Sequence, residues 1–597
     1  MLKRIQILLL GSTLLSITST GMTAEVLVEA ESFDNLGGWV LDPQFLDVMG
    51  SPYLLAHGLG KPVENAETEF ELPAPGTYSV WVRTNNWVPK WSPGRFKLMV
   101  DGRELQPTLG TGDEGWAWHR GGTMEFEKTR VRLELHDLTG FDGRCDALFF
   151  TTEPNFVPPN EPGPAMETWR KRLLKLPEVP PSAGQFDVVV VGGGIPGCAA
   201  ALSAARLGCR VALIQNRPVL GGNASSEVGI LPRGTKTSLV MELVARGPDG
   251  AIKAEEVLRA EKNVSLFLNY HALRAEKNGS DKTIISVDAK HTSTSRELRF
   301  VAPYFIDCTG RAAVGLLVGA ECRTGREPRA EFNESLAPVK SDAMHHGNTL
   351  PFRTRMADRP VAFPEVPWAS VVSKDYADLG GQIRRPGLDN QAGPVGKALR
   401  RSSPLTHFWE YGQWLDPYQD AERVRDHLLR AVYGTFATVK QQRPKAYANL
   451  ELDYVGHVPA TGEFRRLVGD HILTENDIRQ RRAFPDVAAI GSGHFCLHYP
   501  GFKHDFRLGE WKFDAVAPYQ VPFRCLYSRN IDNLMMAGKH ISVSHIAGSC
   551  TKTMLNGGQH GLAVGCAAFL CKKHHTTPRG LREKHIQELQ ALLIKLK

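Results

Sequence analysis

Gly192, Gly194 and Gly197 stand in the order GxGxxG. They follow Phe186 and the apolar run Val188 to Val191, which suits a buried parallel strand. They precede an alanine-rich, helix-forming stretch, Cys198 to Leu207. In such a strand–turn–helix the first glycine permits the tight turn. The second lets backbone approach a pyrophosphate, and the third lets the helix pack on the strand. With Ile195 and Pro196 they open a helix whose N–H groups donate to a diphosphate. The chemistry this predicts is redox chemistry carried by a dinucleotide. Cys209 to Ile214 reads as the second strand, and an acidic residue is expected at its end to hold ribose hydroxyls. The chain has Gln215-Asn216-Arg217 there instead. A neutral amide still bonds a hydroxyl, without charge assistance. Arg217 opens an alternative, a 2′-phosphate and hence NADP.

Oxidation of a carbinol carbon also needs a base for the hydroxyl proton, and histidine titrates in the right range. His540 and His545 follow Ala537-Gly538, while His494 and His498 lie in a Gly/Tyr/Pro-rich stretch. Each is equally readable as a structural residue. Arg465 and Arg466 offer a clamp for a carboxylate or phosphate, or ordinary ion pairs. Ile490-Gly491-Ser492-Gly493 lacks the third glycine and reads as a turn. A second nucleotide fold for NAD(P)H is therefore not expected. That leaves oxygen, a quinone or a protein as the unknown electron acceptor. The ten cysteines form no CxxC pair, so neither a metal site nor a disulfide framework is expected.

Several segments resemble the FAD-contacting parts of glutathione-reductase-like flavoproteins. Gly221-Gly222-Asn223-Ala224-Ser225-Ser226 follows the second strand. Phe305-Ile306-Asp307-Cys308-Thr309-Gly310 is a strand with a Thr-Gly turn. Asn533 to Lys539 is a strand ending in Ala537-Gly538, followed by the helix-like Gln559 to Ala568. The resemblance implies that Gly221, Gly222, Asn223, Ser225, Ser226, Thr309, Gly310, Ala537, Gly538, Gly561 and Gly565 approach FAD. It implies too that Lys539 sets a cation at the pyrimidine edge, with His540 and His545 near the ring. Gly319-Ala320-Glu321-Cys322-Arg323, Arg465 to Asp470, Pro518 to Pro522 and Ile541 to His545 extend it. Together they resemble the FAD-dependent oxidoreductases of secreted bacterial type, some labelled xanthan lyase, over residues 186–578. The fold class implied is an α/β FAD-binding, glutathione-reductase-like Rossmann fold with an inserted substrate domain. An N-terminal all-β jelly roll or sandwich of the carbohydrate-binding kind accompanies it.

The elements that must position these residues divide the chain. Residues 1–24 read as a signal peptide, with Lys3 and Arg4, an apolar run and small residues near Ala24. This predicts export, to the periplasm or outside the cell. No later stretch is long and apolar enough to span a membrane. Residues 25–152 alternate as a sandwich of short strands does. Six of the eleven tryptophans fall between Trp39 and Trp118. They suit either sugar platforms or core. Glu29-Ala30-Glu31-Ser32-Phe33 with Gly37-Gly38-Trp39 resembles the opening of galactose-binding-like jelly rolls. Such modules use early glutamates on a structural calcium, but no oxygen-ligand loop supports one here. The polar segment 135–146 is read as lining a cleft or capping the linker. Residues 153–185 are a proline-rich linker with a short helix expected at 169–176. Residues 186–322 and 486–578 make the FAD fold. Residues 323–485, with Trp409, Trp414 and a helix from 421 to 440, form the insertion. Residues 579–597 are a C-terminal amphipathic helix.

At 597 residues, 42% hydrophobic and 23% charged, the chain excludes disordered and collagen-like classes. A net charge of +7 without a long basic run makes nucleic acid a poor default partner. The lead expectation is an exported FAD-dependent oxidoreductase moving a hydride from a carbinol carbon of a sugar or glycan-derived substrate to flavin, with a histidine base. Alternatives are an FAD-dependent dehydrogenase or monooxygenase of a non-sugar molecule, or a glycan-binding protein with an inactive FAD fold acting through Trp81, Trp87 or Trp116.

Overall fold

A computed structural model describes residues 23–244, 249–279, 282–369, 410–442, 444–445, 447–500 and 508–596. The leader expected at 1–24 lies outside them except for its last two residues, as do Trp409 and the side chain of His498. Four consecutive valines, Val188–Val191, form the middle strand of a five-stranded parallel sheet. Its order is Val264–Leu268, Val211–Gln215, Val188–Val191, Tyr304–Asp307 and Leu534–Met536. β-Branched and aliphatic residues fill these strands because both faces are covered. The register aligns Val191 with Ile214 and Asp307, and Asp307 with Met536. Strand ends far apart in sequence thus share one edge.

Helix Ile195–Arg206 covers one face of the sheet and helix Met554–His574 packs on it. The contact is backbone-close. A Cβ on Gly561 would lie 2.0 Å from the Pro196 carbonyl oxygen, and one on Gly565 would lie 2.1 Å from Ser203 Oγ. These two glycines therefore pack helix on helix, which corrects their expected contact with FAD. A mixed sheet, Tyr270–Lys277, Ile284–His291, Glu297–Val301 and Ser182–Gln185, stands beside the parallel one.

The proline-rich segment is more structured than a connector. It holds helix Pro164–Leu173, started by Pro164, and strand Ser182–Gln185. The insertion is not one separate body. Ala337, Met344, Leu473 and Phe484 join the core of the FAD fold, whereas Leu350, Phe352, Trp368, Tyr433 and Leu450 build a second core with Trp87 and Phe141 of the sandwich. The C-terminal segment folds as two helices, Pro578–Lys584 and Ile586–Leu596, with Leu589 and Leu593 buried. All ten cysteines are unpaired thiols. No described helix is long and apolar enough to cross a membrane.

Residues 25–151 form two antiparallel sheets. Their tryptophans are mostly spoken for. Trp39 meets Phe96 edge-on inside the sandwich. Trp81 and Trp118 pack under the linker helix with Phe149 and Trp169. Trp87 meets Trp368 of the insertion, and Trp116 lies on Tyr53 while its indole donates to Glu422. Of the six, Trp91 alone is exposed, at 40%. Trp81, Trp87 and Trp116 are thus packing residues, which corrects their expected role as a sugar platform.

The polar segment 135–146 is a docking surface. Arg144 is fully buried and binds Glu422 at 2.7 Å and Asp426 at 2.6 Å on helix Ala421–Gln442. Asp142 lies 2.5 Å from His57 and accepts from the Tyr433 hydroxyl at 3.2 Å. Asp42 and Arg425, both fully buried, pair at 2.6 Å. Glu29, Glu31 and Asp146 do converge, but two arginines face them: Arg170 of the linker helix, at 2.6 Å from Glu29 and 2.5 Å from Asp146, and Arg83, at 2.8 Å from Asp146. Burial beside Glu29 and Asp146 pushes the Glu31 carboxyl well above its ordinary range. Buried charges survive only when paired. Arg425→Met should therefore destabilise the protein by about 3–5 kcal/mol, because Asp42 is left buried without its cation. Urea denaturation checks this, and an unchanged midpoint refutes docking through the pair.

Candidate active site

The carboxyl edge of the parallel sheet opens into a cleft, as doubly wound sheets require. Gly192 takes φ 105°, and a Cβ there would lie 2.4 Å from the Cys308 carbonyl oxygen. A Cβ on Gly197 would lie 1.8 Å from the Gly192 oxygen, so this glycine is buried packing under the turn. Gly194 differs. Its φ is −67°, and the nearest atom to a Cβ would be Pro196 Cδ at an ordinary 3.6 Å. Neither backbone nor neighbours demand glycine at 194. The cleft it borders does, if a ligand's phosphates lie against the chain. Ile195 and Pro196 complete this wall.

Gln215, Asn216 and Arg217 line the next part. Gln215 Oε1 accepts from Gly193 N at 2.8 Å, and its Nε2 donates to Val219 O at 2.8 Å. The amide thus braces the turn. Arg217 donates through Nε and Nη2 to Glu227, which balances its charge beside the cleft. Gly221, Gly222, Asn223 and Ser225 line the cleft, while Ser226 is exposed outside it.

Thr309 and Gly310 form the opposite lip. Asp307 organises it. Its Oδ1 accepts from Thr309 N and Oγ1 at 3.0 and 2.7 Å, and its Oδ2 accepts from Gly315 N at 3.0 Å. His540 Nε2 lies 3.3 Å from the same carboxylate. Burial would raise the Asp307 pKa, but His540 and Thr309 outweigh it and hold it low. His540 is buried, is not among the residues lining the cleft, and holds Asp307 through Nε2, which corrects its expected role as a base. His494 stacks on Phe513 within the long hairpin, at 4.1 Å, and does not line the cleft. Ala537 is buried, its N–H donating to Asp307 O.

Gly538 and Lys539 close the far end. Lys539 Nζ donates to Thr461 O at 2.6 Å and to Thr461 Oγ1 at 2.8 Å, and Asn223 donates to the same carbonyl. Burial pulls the Lys539 pKa down to about 8. Lys552 also lines this end and pairs with Glu463 at 3.0 Å. Behind them lies His545, 1% exposed, with Nε2 at 3.0 Å from the Tyr499 hydroxyl. Its imidazole is held neutral by burial, reinforced by Arg466, Arg326 and Lys552. Arg466 itself bonds Glu327 at 2.8 Å, and Arg465 lies 3.3 Å from Asp416.

Sequence reading missed Glu227, Thr461, Glu463 and Lys552, which carry no recognisable spacing. It also missed Gln44 and Phe45, which reach the cleft from the sandwich.

The chain matches the family described as FAD dependent oxidoreductase over residues 187–248 and 246–593. It is 35% identical over 122 residues to the tRNA uridine 5-carboxymethylaminomethyl modification enzyme MnmG of Clostridium botulinum. That stretch is 18% of this chain and 17% of the relative, so the chain spans under a fifth of that protein's length. A family 35 carbohydrate binding module from Clostridium thermocellum covers 21% of this chain and 96% of its own, at 16% identity and TM-score 0.18. A geranylgeranyl bacteriochlorophyll reductase-like protein from Thermoplasma acidophilum covers 69% and 83%, at 10% identity and TM-score 0.31.

The residues of the cleft fit FAD. The glycine turn and helix start suit its diphosphate, and the open space at Gly194 leaves room for it. Gly194→Val should fold with unchanged thermal stability yet bind FAD about tenfold more weakly or worse. Flavin content after purification and FAD titration of the apoprotein check this. Normal flavin content would refute the cradle.

Proposed function

The chain belongs to the FAD dependent oxidoreductase family, and from that premise we propose that it is exported and oxidises a carbinol carbon of a sugar or glycan-derived substrate. When bound, FAD supplies a two-electron acceptor for hydride. The observation that carries the reading is the polar character of the far end of the cleft. Lys539, Thr461 and Lys552 line it, backed by Glu463, His545 and Tyr499. Hydroxyl-rich substrates suit such a surface. An apolar ring would displace water from these polar groups without offering them a hydrogen bond in return.

The residues divide the work. Lys552 stays charged because Glu463 outweighs its burial. It stabilises negative charge growing on a substrate oxygen. Glu463 is kept ionised by the Lys552 ammonium against its own burial. His545 is the one expected base that couples to this network. Its neutral imidazole stands behind the lining with Nε2 at 3.0 Å from the Tyr499 hydroxyl, so it acts as a positioning residue for the wall that Lys552 and Thr461 present. Lys539 places an ammonium at the inner wall. Among the described residues there is one all-parallel sheet, which fits a single dinucleotide.

The flavoprotein should be bleached anaerobically by at least one member of a sugar and oligosaccharide panel. Bleaching by none of them, with NAD(P)H oxidation driven by a non-sugar compound, would overturn the reading. Below about pH 8 the Lys539 ammonium is present, and it is lost as pH rises through that value. The reduction potential of the bound flavin should therefore show an extra downward break near pH 8. Lys539→Met should lower the potential at neutral pH and remove the break. Spectroelectrochemical titration across pH checks both.

A further inference from the structure

The side chain expected to face a ribose does not do so. Both ends of the Gln215 amide are engaged within the protein, and Arg217 beside it is held by Glu227. At this end the cleft has another wall. Gln44 and Phe45 of the sandwich border the same space as Asn216, Tyr270 and His271.

This wall is fixed firmly. Phe45 is 5% exposed, stacks on Tyr53 at 6.3 Å and carries the Arg425 guanidinium 4.9 Å over its ring. Gln44 Nε2 donates to His457 O at 2.8 Å and to Asp42 Oδ1 at 2.9 Å, tying the wall to the insertion and leaving its Oε1 as the atom that can accept from a ligand. Two residues on, Asp47 pairs with Arg311 at 2.7 Å and with His271 at 2.7 Å. Arg311 directly follows the Thr309-Gly310 lip. Burial would raise the Asp47 carboxyl, but His271 and Arg311 outweigh it and hold it ionised. The short helix Leu46–Met49 is therefore clamped to the rim of the cleft.

We propose that the β-sandwich is part of the dinucleotide site, with Gln44 and Phe45 binding the adenosine half of FAD and Asp47 positioning them. The location selects the half. Asn216 and Arg217 end the second strand, where the ribose belongs, while Lys539 and Lys552 mark the opposite end. With Tyr53 and Arg425 packed on its ring, Phe45 offers a purine the apolar edge that borders the cleft, and a group recruited from another module takes over from the inward-turned Gln215.

The test uses the full-length apoprotein titrated with FAD, ADP and FMN. FMN carries the flavin half without adenosine. Phe45→Ala should weaken FAD and ADP by about tenfold while FMN stays within about twofold, and Phe45→Trp should keep all three. Asp47→Asn, which leaves Phe45 in place, should speed FAD release without changing FMN release. Equal weakening of FMN and FAD would mean a merely structural role and would overturn the proposal. So would unchanged ADP binding in Phe45→Ala.

Discussion

Backbone meets backbone where helix Ile195–Arg206 crosses helix Met554–His574, and the rest of the site follows from that contact. Alanines on the first helix and glycines on the second remove the side chains that would hold the two apart. The same crossing brings Gly557 against Pro196, where a Cβ would sit 2.8 Å from the ring. Gly538, at the end of the last strand, also borders Pro196. One close contact thus fixes the turn that opens the cleft and the strand end that closes it. A methyl group in either helix would move both, because packed interiors have no slack to absorb it.

Around this apolar hinge the protein buries many charges, and nearly all are answered. Asp307 draws together a turn, a helix start and His540. Glu327 joins Arg466 to the backbone of His545. Such pairs add little net stability over apolar replacements, but they forbid alternatives, since any slip strands a charge in low dielectric. The described residues of 323–485 are threaded through both cores. Their carboxylates and guanidiniums find partners on the FAD fold and on the sandwich alike.

Much of this was legible in the sequence. The GxGxxG turn, the parallel strands and the β-sandwich announce themselves through local rules of period and turn chemistry. Thr309, Gly310, Gly538 and Lys539 were found through resemblance and do line the cleft. Gly561 and Gly565 were placed at the ligand because a glycine needed for a ligand and one needed for a helix crossing look alike in one dimension. The histidines misled for a related reason. A residue type suited to proton transfer says nothing about whether Asp307 or Phe513 has already claimed it. Six tryptophans in a sandwich suggested sugar, yet five of them face neighbours that only the fold supplies. Lys552, Thr461 and Phe45 reach the cleft through tertiary packing, and no spacing rule marks them.

The ionic seam of Asp42, Arg144, Asp142 and helix Ala421–Gln442 has a consequence for ancestry. Binding modules on flexible tethers pass between enzymes by recombination, because nothing at their surface must match the new host. Here a transplanted sandwich would bring Arg144 to a host without Asp426, and the abandoned half would lose Asp42, Tyr53 and Phe45 from around Arg425. The two parts must therefore be inherited together. Substitutions on one side of the seam should be answered by substitutions on the other, so this pair of folds evolves as a single heritable unit.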